Sequence, residues 1–160
     1  KKATLLFDIT DIYDLLFAQI NTDRVLAIGR NALYFEDYVL SIQYFNQVIN
    51  QTLVGGTYFY RAVAKINLDD FKGAEEDVLY VFSGTLFLTQ AYYARGIARQ
   101  SQEKYDEAID DYQKGLEFKP ETADAGEYGG GFYPEKDYNG AEKTFDDLMT
   151  AHPKYSMNYM

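Results

Sequence analysis

Two arginine–aspartate pairs recur in the sequence with the same internal spacing. Asp77 follows Arg61, and Asp111 follows Arg95, in each case by 16 residues. A guanidinium and a carboxylate this far apart meet when the two helices that carry them form a hairpin. Because the acid repeats together with the base, we interpret both pairs as structural ion pairs that fix helix register. The alternative is that the arginines form a basic binding strip.

Residues suited to catalysis are scarce. The sequence has no Cys and a single His, His152, which we interpret as a helix C-terminal cap or a solvated residue. The glycine-rich run EYGGGFYP lacks the Lys-Ser/Thr of a nucleotide-binding loop. Asp69 and Asp70 suit helix caps better than metal ligands. We therefore expect no catalytic residue, no metal site and no cofactor.

Composition limits the classes of partner. The chain of 160 residues is 47% hydrophobic, which is enough for a folded core, and its net charge of −10 repels phosphate backbones and anionic lipid headgroups. No apolar run approaches the roughly 18–20 residues of a membrane-spanning helix. We expect a soluble protein that binds neither nucleic acid nor the membrane interior. The sequence does not decide between the cytoplasm and a periplasmic or secreted location after removal of a signal peptide.

The two charge pairs belong to a longer repeat. The segment YFYRAVAKINLDDFKGAEED, residues 58–77, returns 34 residues later as YYARGIARQSQEKYDEAIDD, residues 92–111. Apolar residues spaced by three and four on each side of a short polar turn predict two helices per unit. A single unit cannot bury its own apolar face, so tandem units must stack. Extending the register predicts four units, 22–54, 55–88, 89–121 and 122–155.

The third unit carries the residues that identify a family. Its matching positions are Tyr92, Gly96, Tyr105, Ala108, Tyr112 and Pro120. This spacing resembles the tetratricopeptide repeat (TPR), a helix–turn–helix unit of about 34 residues, and the resemblance covers about 22–155. It implies an all-α fold, a right-handed α-solenoid of antiparallel helix pairs with about four repeats and an N-terminal capping helix.

Both ends of the predicted array are unusual. Residues 1–21 include an amphipathic segment with Ile12, Leu15, Leu16 and Ile20, which we predict to cap the stack. In the fourth unit, four glycines and a proline make 126–136 a poor helix. Residues 156–160 match the start of a truncated fifth repeat, so we expect the full protein to continue.

The resemblance also implies a binding surface, the concave face lined by the first helix of each unit. Transferred position by position, its residues are Leu26, Arg30 and Leu33; Phe59, Val63, Ile66 and Asn67; and Tyr93, Ile97, Gln100 and Ser101. The result is an apolar, aromatic groove that suits a peptide or helical segment of a partner. We expect Phe59, Tyr93, Val63 and Ile97 to be its main contacts. Phe59→Ala combined with Tyr93→Ala should then abolish partner binding without unfolding the chain. Alternatively, the capping helix or a fifth unit fills it.

One TPR subtype grips a C-terminal carboxylate with basic and amide side chains, and that set is missing here. The corresponding residues are Leu26, Arg30, Tyr60, Gln90 and Ala94. We therefore predict a non-catalytic protein–protein interaction scaffold of another kind. The first alternative is a structural or self-associating subunit, a homo-oligomer whose groove is filled by its own or a neighbouring chain. The second is an accessory domain of an enzyme whose chemistry lies elsewhere.

Overall fold

The computed structural model describes residues 9–51, 55–84, 87–117 and 146–151. These residues form six long helices and a short helical segment at 146–151. The helices are α1 (Ile9–Tyr34), α2 (Tyr38–Gln51), α3 (Gly55–Asn67), α4 (Phe71–Val81), α5 (Leu88–Ser101) and α6 (Tyr105–Glu117). None of the helices in this part of the chain is long and apolar enough to cross a membrane.

The helices form three consecutive hairpins that stack on one another. Helix α1 packs on α2, α3 on α4 and α5 on α6, while α3 also packs on α2 and α5 on α4. This arrangement confirms the predicted α-solenoid of antiparallel helix pairs, because each hairpin buries its apolar face against the next. The predictions for 126–136, His152 and 156–160 lie outside the described residues.

The turn inside each hairpin has the same backbone geometry. An acidic residue adopts the left-handed conformation in each turn: Glu36 with φ 61°, Asp69 with φ 59° and Glu103 with φ 61°. Each of the three donates its backbone N–H to the carbonyl oxygen three residues earlier, at 2.9–3.1 Å. Asp70 then caps α4, where its side chain accepts a hydrogen bond of 3.0 Å from the Gly73 N–H. The capping role predicted for Asp70 is confirmed, whereas Asp69 serves the turn.

Glycines let the third hairpin close tightly. A Cβ atom at Gly96 would lie 2.6 Å from Cε1 of Tyr112, and one at Gly115 would lie 2.5 Å from Cε1 of Tyr93. Two tyrosine rings thus lie directly on the backbone of the opposite helix, as tight core packing requires. Tyr112 is buried, and burial raises the pKa of its hydroxyl far above the usual range.

Helix α1 differs from the prediction at residue 21. One continuous helix of 26 residues runs through the boundary expected between the cap and the first unit. The Thr22 hydroxyl donates to Oε1 of Gln51, the last residue of α2, at 3.0 Å. Residues 9–21 therefore extend beyond the end of α2 and have no helix of the first hairpin beside them. The apolar side chains predicted to cap the stack are exposed instead.

Candidate functional site

The structure brings the two predicted arginine–aspartate pairs together. Arg61 makes a bidentate contact with the buried Asp77, with Nε–Oδ2 at 2.8 Å and Nη2–Oδ1 at 2.5 Å. Lys65 also reaches this carboxylate, at 2.9 Å. The hydrogen bond to Asp77 is the main cause that raises the pKa of Arg61. A buried carboxylate is thus held by two cations of the preceding helix.

The third hairpin repeats this arrangement. Arg95 contacts Asp111 through Nε–Oδ2 at 2.8 Å and Nη2–Oδ1 at 2.6 Å, and Arg99 reaches the same carboxylate at 2.9 Å. Burial lowers the pKa of Arg95, but the hydrogen bond and the charge of Asp111 outweigh it, so that the pKa is raised. The Arg95 guanidinium also lies over the Phe82 ring, 4.5 Å from its centroid.

These contacts decide against the basic binding strip. The Arg61 and Arg95 side chains are 17% and 13% exposed, and each is committed to a buried aspartate within its own hairpin. A partner could reach them only by breaking these pairs, which would leave Asp77 or Asp111 buried and uncompensated. The two arginines are therefore part of the hairpin structure.

A second charge cluster joins two hairpins, and the sequence reasoning missed it. Glu75 of α4 accepts hydrogen bonds from Arg99 Nε at 3.1 Å, Gln102 Nε2 at 2.7 Å and Lys104 Nζ at 2.9 Å. Burial raises the pKa of Glu75, but the hydrogen bonds from Lys104, Gln102 and Arg99 outweigh it and lower the pKa. An acidic run such as EED at 75–77 is typical of a solvated face. Only Glu76 is exposed, because Glu75 bonds to the next unit and Asp77 to its own.

The structure contradicts the expected exposure of four groove residues. The exposed fractions are only 2% for Leu33, 2% for Phe59, 6% for Val63 and 6% for Tyr93, so these are core residues and not surface contacts. Phe59 stacks on Phe87, the residue before α5, with ring centroids 5.2 Å apart. Tyr93 is covered by the Gly115 backbone of α6. Each aromatic ring is buried by an element distant in sequence, which the repeat pattern does not reveal.

Burial changes what a mutation at these positions tests. The double change Phe59→Ala and Tyr93→Ala was expected to abolish partner binding and leave the fold intact. Removal of a large buried aromatic side chain costs about 3–5 kcal/mol. We now expect this variant to be strongly destabilised, so a loss of binding would say nothing about the groove.

The other groove residues form a partly accessible surface on the first helices. Leu26, Ile66 and Ile97 are half-buried against the core. The half-buried Arg30 guanidinium lies over the Tyr60 ring, 5.1 Å from its centroid. The remaining contacts are at two amides: Asn67 is exposed and donates to the Val63 carbonyl at 2.9 Å, and Gln100 accepts from the Tyr112 hydroxyl at 2.7 Å.

One exposed position recurs along the three first helices. Asn67 lies 33 residues after Tyr34 and 34 before Ser101, and all three are exposed. This row borders the half-buried apolar residues. Asn67 and Ser101 belong to the predicted groove, and Tyr34 occupies the corresponding position of the first unit. Within the described ranges, no three His, Cys, Asp or Glu residues are grouped so that they could hold a metal ion.

Comparison with known proteins supports the architecture. Residues 89–121 match the family model described as tetratricopeptide repeat. The chain is similar to the TPR domain of Arabidopsis OM64, with 22% identity and a TM-score of 0.65, over 80% of this chain and 96% of that one. A comparison with curated protein sequences gives no match.

Two further solved structures have the same fold. The first TPR domain of Spaghetti (RPAP3), bound to the HSP90 peptide SRMEEVD, is 21% identical with a TM-score of 0.59, over 78% of this chain and 93% of that one. The Sgt2 TPR domain from Aspergillus fumigatus is 20% identical with a TM-score of 0.58, over 79% of this chain and 80% of that one. The third hairpin thus matches the tetratricopeptide repeat in sequence, and the stacked hairpins of the described residues share the fold of TPR domains.

Proposed function

We propose that the chain is a non-catalytic scaffold that binds a peptide or a helical segment of a partner protein on the concave side of the array. Stacked helix pairs present a curved surface much larger than any single unit. The structurally similar domain of Spaghetti holds a peptide of HSP90. The observation that carries the proposal is the accessible row of the first helices, which offers polar contacts beside a half-buried apolar floor.

Arg30 is the strongest candidate contact in this surface. No carboxylate of the described residues lies within ion-pair distance of its guanidinium, in contrast to Arg61 and Arg95. Stacking on Tyr60 holds the guanidinium in place, and a preorganised cation loses less entropy when a ligand binds. Arg30 would pair with an acidic side chain of the bound segment, while Asn67 offers an amide one unit further along.

The bound segment would differ from the peptide SRMEEVD. A terminal carboxylate needs several convergent donors, but the corresponding positions hold Leu26, Tyr60 and Ala94, and the last two are buried. The accessible surface instead combines one arginine with amides and apolar side chains. We infer that it recognises an internal segment with at least one acidic and several apolar residues.

A displayed peptide library tests this function. Peptides selected on the immobilised chain should be acidic and apolar, and the double change Arg30→Glu and Asn67→Ala should weaken their binding at least tenfold. Lys72→Glu, an equal charge reversal at an exposed site on α4, is the matched control and should bind normally. The SRMEEVD peptide should show no saturable binding. Selected peptides that bind both variants equally would contradict the proposed surface.

A self-associating array is the alternative function. The exposed apolar face at the start of α1 favours it, because a solvated helix end has no need of such residues.

A further inference from the structure

The first half of α1 carries an uncovered apolar stripe. Ile9, Tyr13, Leu16 and Ile20 follow one another at intervals of four, three and four residues, so they lie on one side of the helix. Together with the neighbouring Phe17 they are 41–68% exposed. Thirteen helical residues extend past the end of α2, a length of about 20 Å. This stripe is the most extensive apolar surface among the described residues.

The stripe lies opposite the side by which α1 joins the array. The buried residues of α1 are Thr22, Gly29, Ala32 and Leu33. At about 100° per residue, their side of the helix is roughly 180° away from the stripe. The hairpin partner α2 therefore cannot cover the stripe, even if it were longer.

The stripe continues an interface that the fold uses between its own units. Further along the same side of α1, Ala27, Ile28 and Asn31 are exposed. Tyr60 and Arg61 lie 33 positions after Ala27 and Ile28, at the equivalent positions of α3. The Tyr60 ring centroid lies 6.0 Å from that of Phe45 in the preceding hairpin, and Arg61 donates to Asn46 Oδ1 at 2.6 Å. The exposed side of α1 thus corresponds to a stacking face on which no helix of the described residues is stacked.

The area of the stripe suits a reversible protein–protein contact. Its five side chains are each 41–68% exposed. At about 100 Å² each they offer roughly 500 Å², so two copies would bury about 1,000 Å², the lower bound for a specific interface. A 13-residue helix is also marginal in water by itself, so a partner would stabilise it.

We propose that this stripe is the pairing surface of two copies of the chain, with their α1 helices antiparallel. The stripe contains no charge between Ile9 and Ile20, so it can pack on itself about a two-fold axis. An antiparallel pair sets the positive N-terminal ends of the two helices apart, whereas a parallel pair would bring them side by side. Asp11 and Asp14 lie on the opposite side of the helix and stay outside the contact.

Sedimentation equilibrium of the full chain, from about 1 to 200 μM, tests the pairing. The wild type should change from monomer to dimer, and the dimer should strengthen between 50 and 500 mM NaCl, because salt screens the repulsion between two chains of net charge −10. The double change Leu16→Asp and Phe17→Asp should weaken dimerisation at least tenfold.

The matched control is Val39→Asp with Leu79→Asp. These residues of α2 and α4 are 57% and 61% exposed, so the charge and the exposed apolar area change by similar amounts away from the stripe. The control should dimerise like the wild type. A monomeric wild type at 200 μM, or equal dimerisation by the stripe variant and the control, would overturn the proposal.

Hydrogen exchange gives an independent reading of the same surface. Amide protection in 9–21 should rise with protein concentration in the wild type, because pairing suppresses fraying of the projecting helix. The stripe variant should lack this rise while the helices from α3 to α6 keep their protection. Protection that does not depend on concentration in the wild type would contradict the pairing. The inference does not rest on the proposed groove, since peptide binding should survive in the stripe variant.

Discussion

The second and third hairpins hold the same ion pair in different surroundings. In the second, Asp77 is bound by Arg61 and by the ammonium group of Lys65. In the third, Asp111 is bound by two guanidinium groups, and one of them, Arg99, continues to Glu75 of the preceding hairpin. Arg99 thereby couples the ion pair of the third hairpin to a charged group of the preceding unit, whereas Arg61 reaches the preceding unit through the neutral amide of Asn46, 2.6 Å away.

The junction between the first and second hairpins is built differently. The Phe45 and Tyr60 rings stack there, and the residue 33 positions before Glu75 is Ile42, which packs on the apolar core. One junction is thus mainly apolar, while the other adds a charged cluster around Glu75. The same stacking geometry is compatible with apolar and with charged contacts, so the repeat pattern alone does not determine which contacts hold neighbouring units together.

The buried aspartates should give the largest effects. Asp111→Ala leaves Arg95 and Arg99 without their carboxylate and should lower the free energy of unfolding by about 3–5 kcal/mol. Asp77→Ala should cost less, because the flexible Lys65 ammonium can turn to solvent more readily than a guanidinium. Urea unfolding followed by circular dichroism measures both, with exposed Glu76→Ala as the control. A loss below 1 kcal/mol for Asp111→Ala would contradict the structural role.

A smaller effect should come from the glycine that accommodates Tyr112. The second hairpin has Ala62 and Val78 where the third has Gly96 and Tyr112. Gly96→Ala should destabilise the chain by about 1–3 kcal/mol, because its Cβ atom would collide with the ring. In a Tyr112→Val background the same change should be neutral or stabilising, since Ala favours the helix. A double-mutant cycle checks this, and additive effects would refute the proposed compensation.

The smallest effect should come from Glu75 and should depend on pH. Its pKa is lowered from the ordinary 4.5, so the unfolded state takes up a proton first as pH falls. The stabilisation is therefore fully present well above pH 4.5 and is lost as pH falls through the lower, folded-state pKa. Glu75→Gln should cost about 1 kcal/mol at pH 7 and less at pH 3.5. A difference that does not change with pH would show that the charge of Glu75 is not involved.

Local spacing was enough to predict the hairpins and their ion pairs. The pairing of Arg61 with Asp77, and of Arg95 with Asp111, follows from helix period and turn length, which operate within one unit. Asp70 was predictable as a cap for the same reason, because its partner Gly73 is three residues away. Contacts inside a repeat are short in sequence, and the repeat itself displays them twice.

Contacts that do not recur from one unit to the next could not be predicted in this way. Phe59 is buried by Phe87, which lies 28 residues further along and outside the repeat pattern. Tyr93 is buried because Gly115 has no side chain, a property of the opposite helix. Only Leu16 and Ile20 of the stripe on α1 belong to the amphipathic side predicted from the sequence. The direction in which the stripe points depends on which side of α1 is buried in the array, and the burial of Thr22 identifies that side.

The continuity of α1 has a mechanical consequence. The helix contains no proline, and its only glycine, Gly29, is packed against the Phe45 ring. No joint therefore separates the projecting segment from the first hairpin. When a partner suppresses fraying at its free end, α1 acts as a stiff arm about 39 Å long. A tilt of 5° where α1 leaves the array would displace Ile9 by about 2 Å. The orientation of anything held at that end is thereby determined by the packing of the first hairpin.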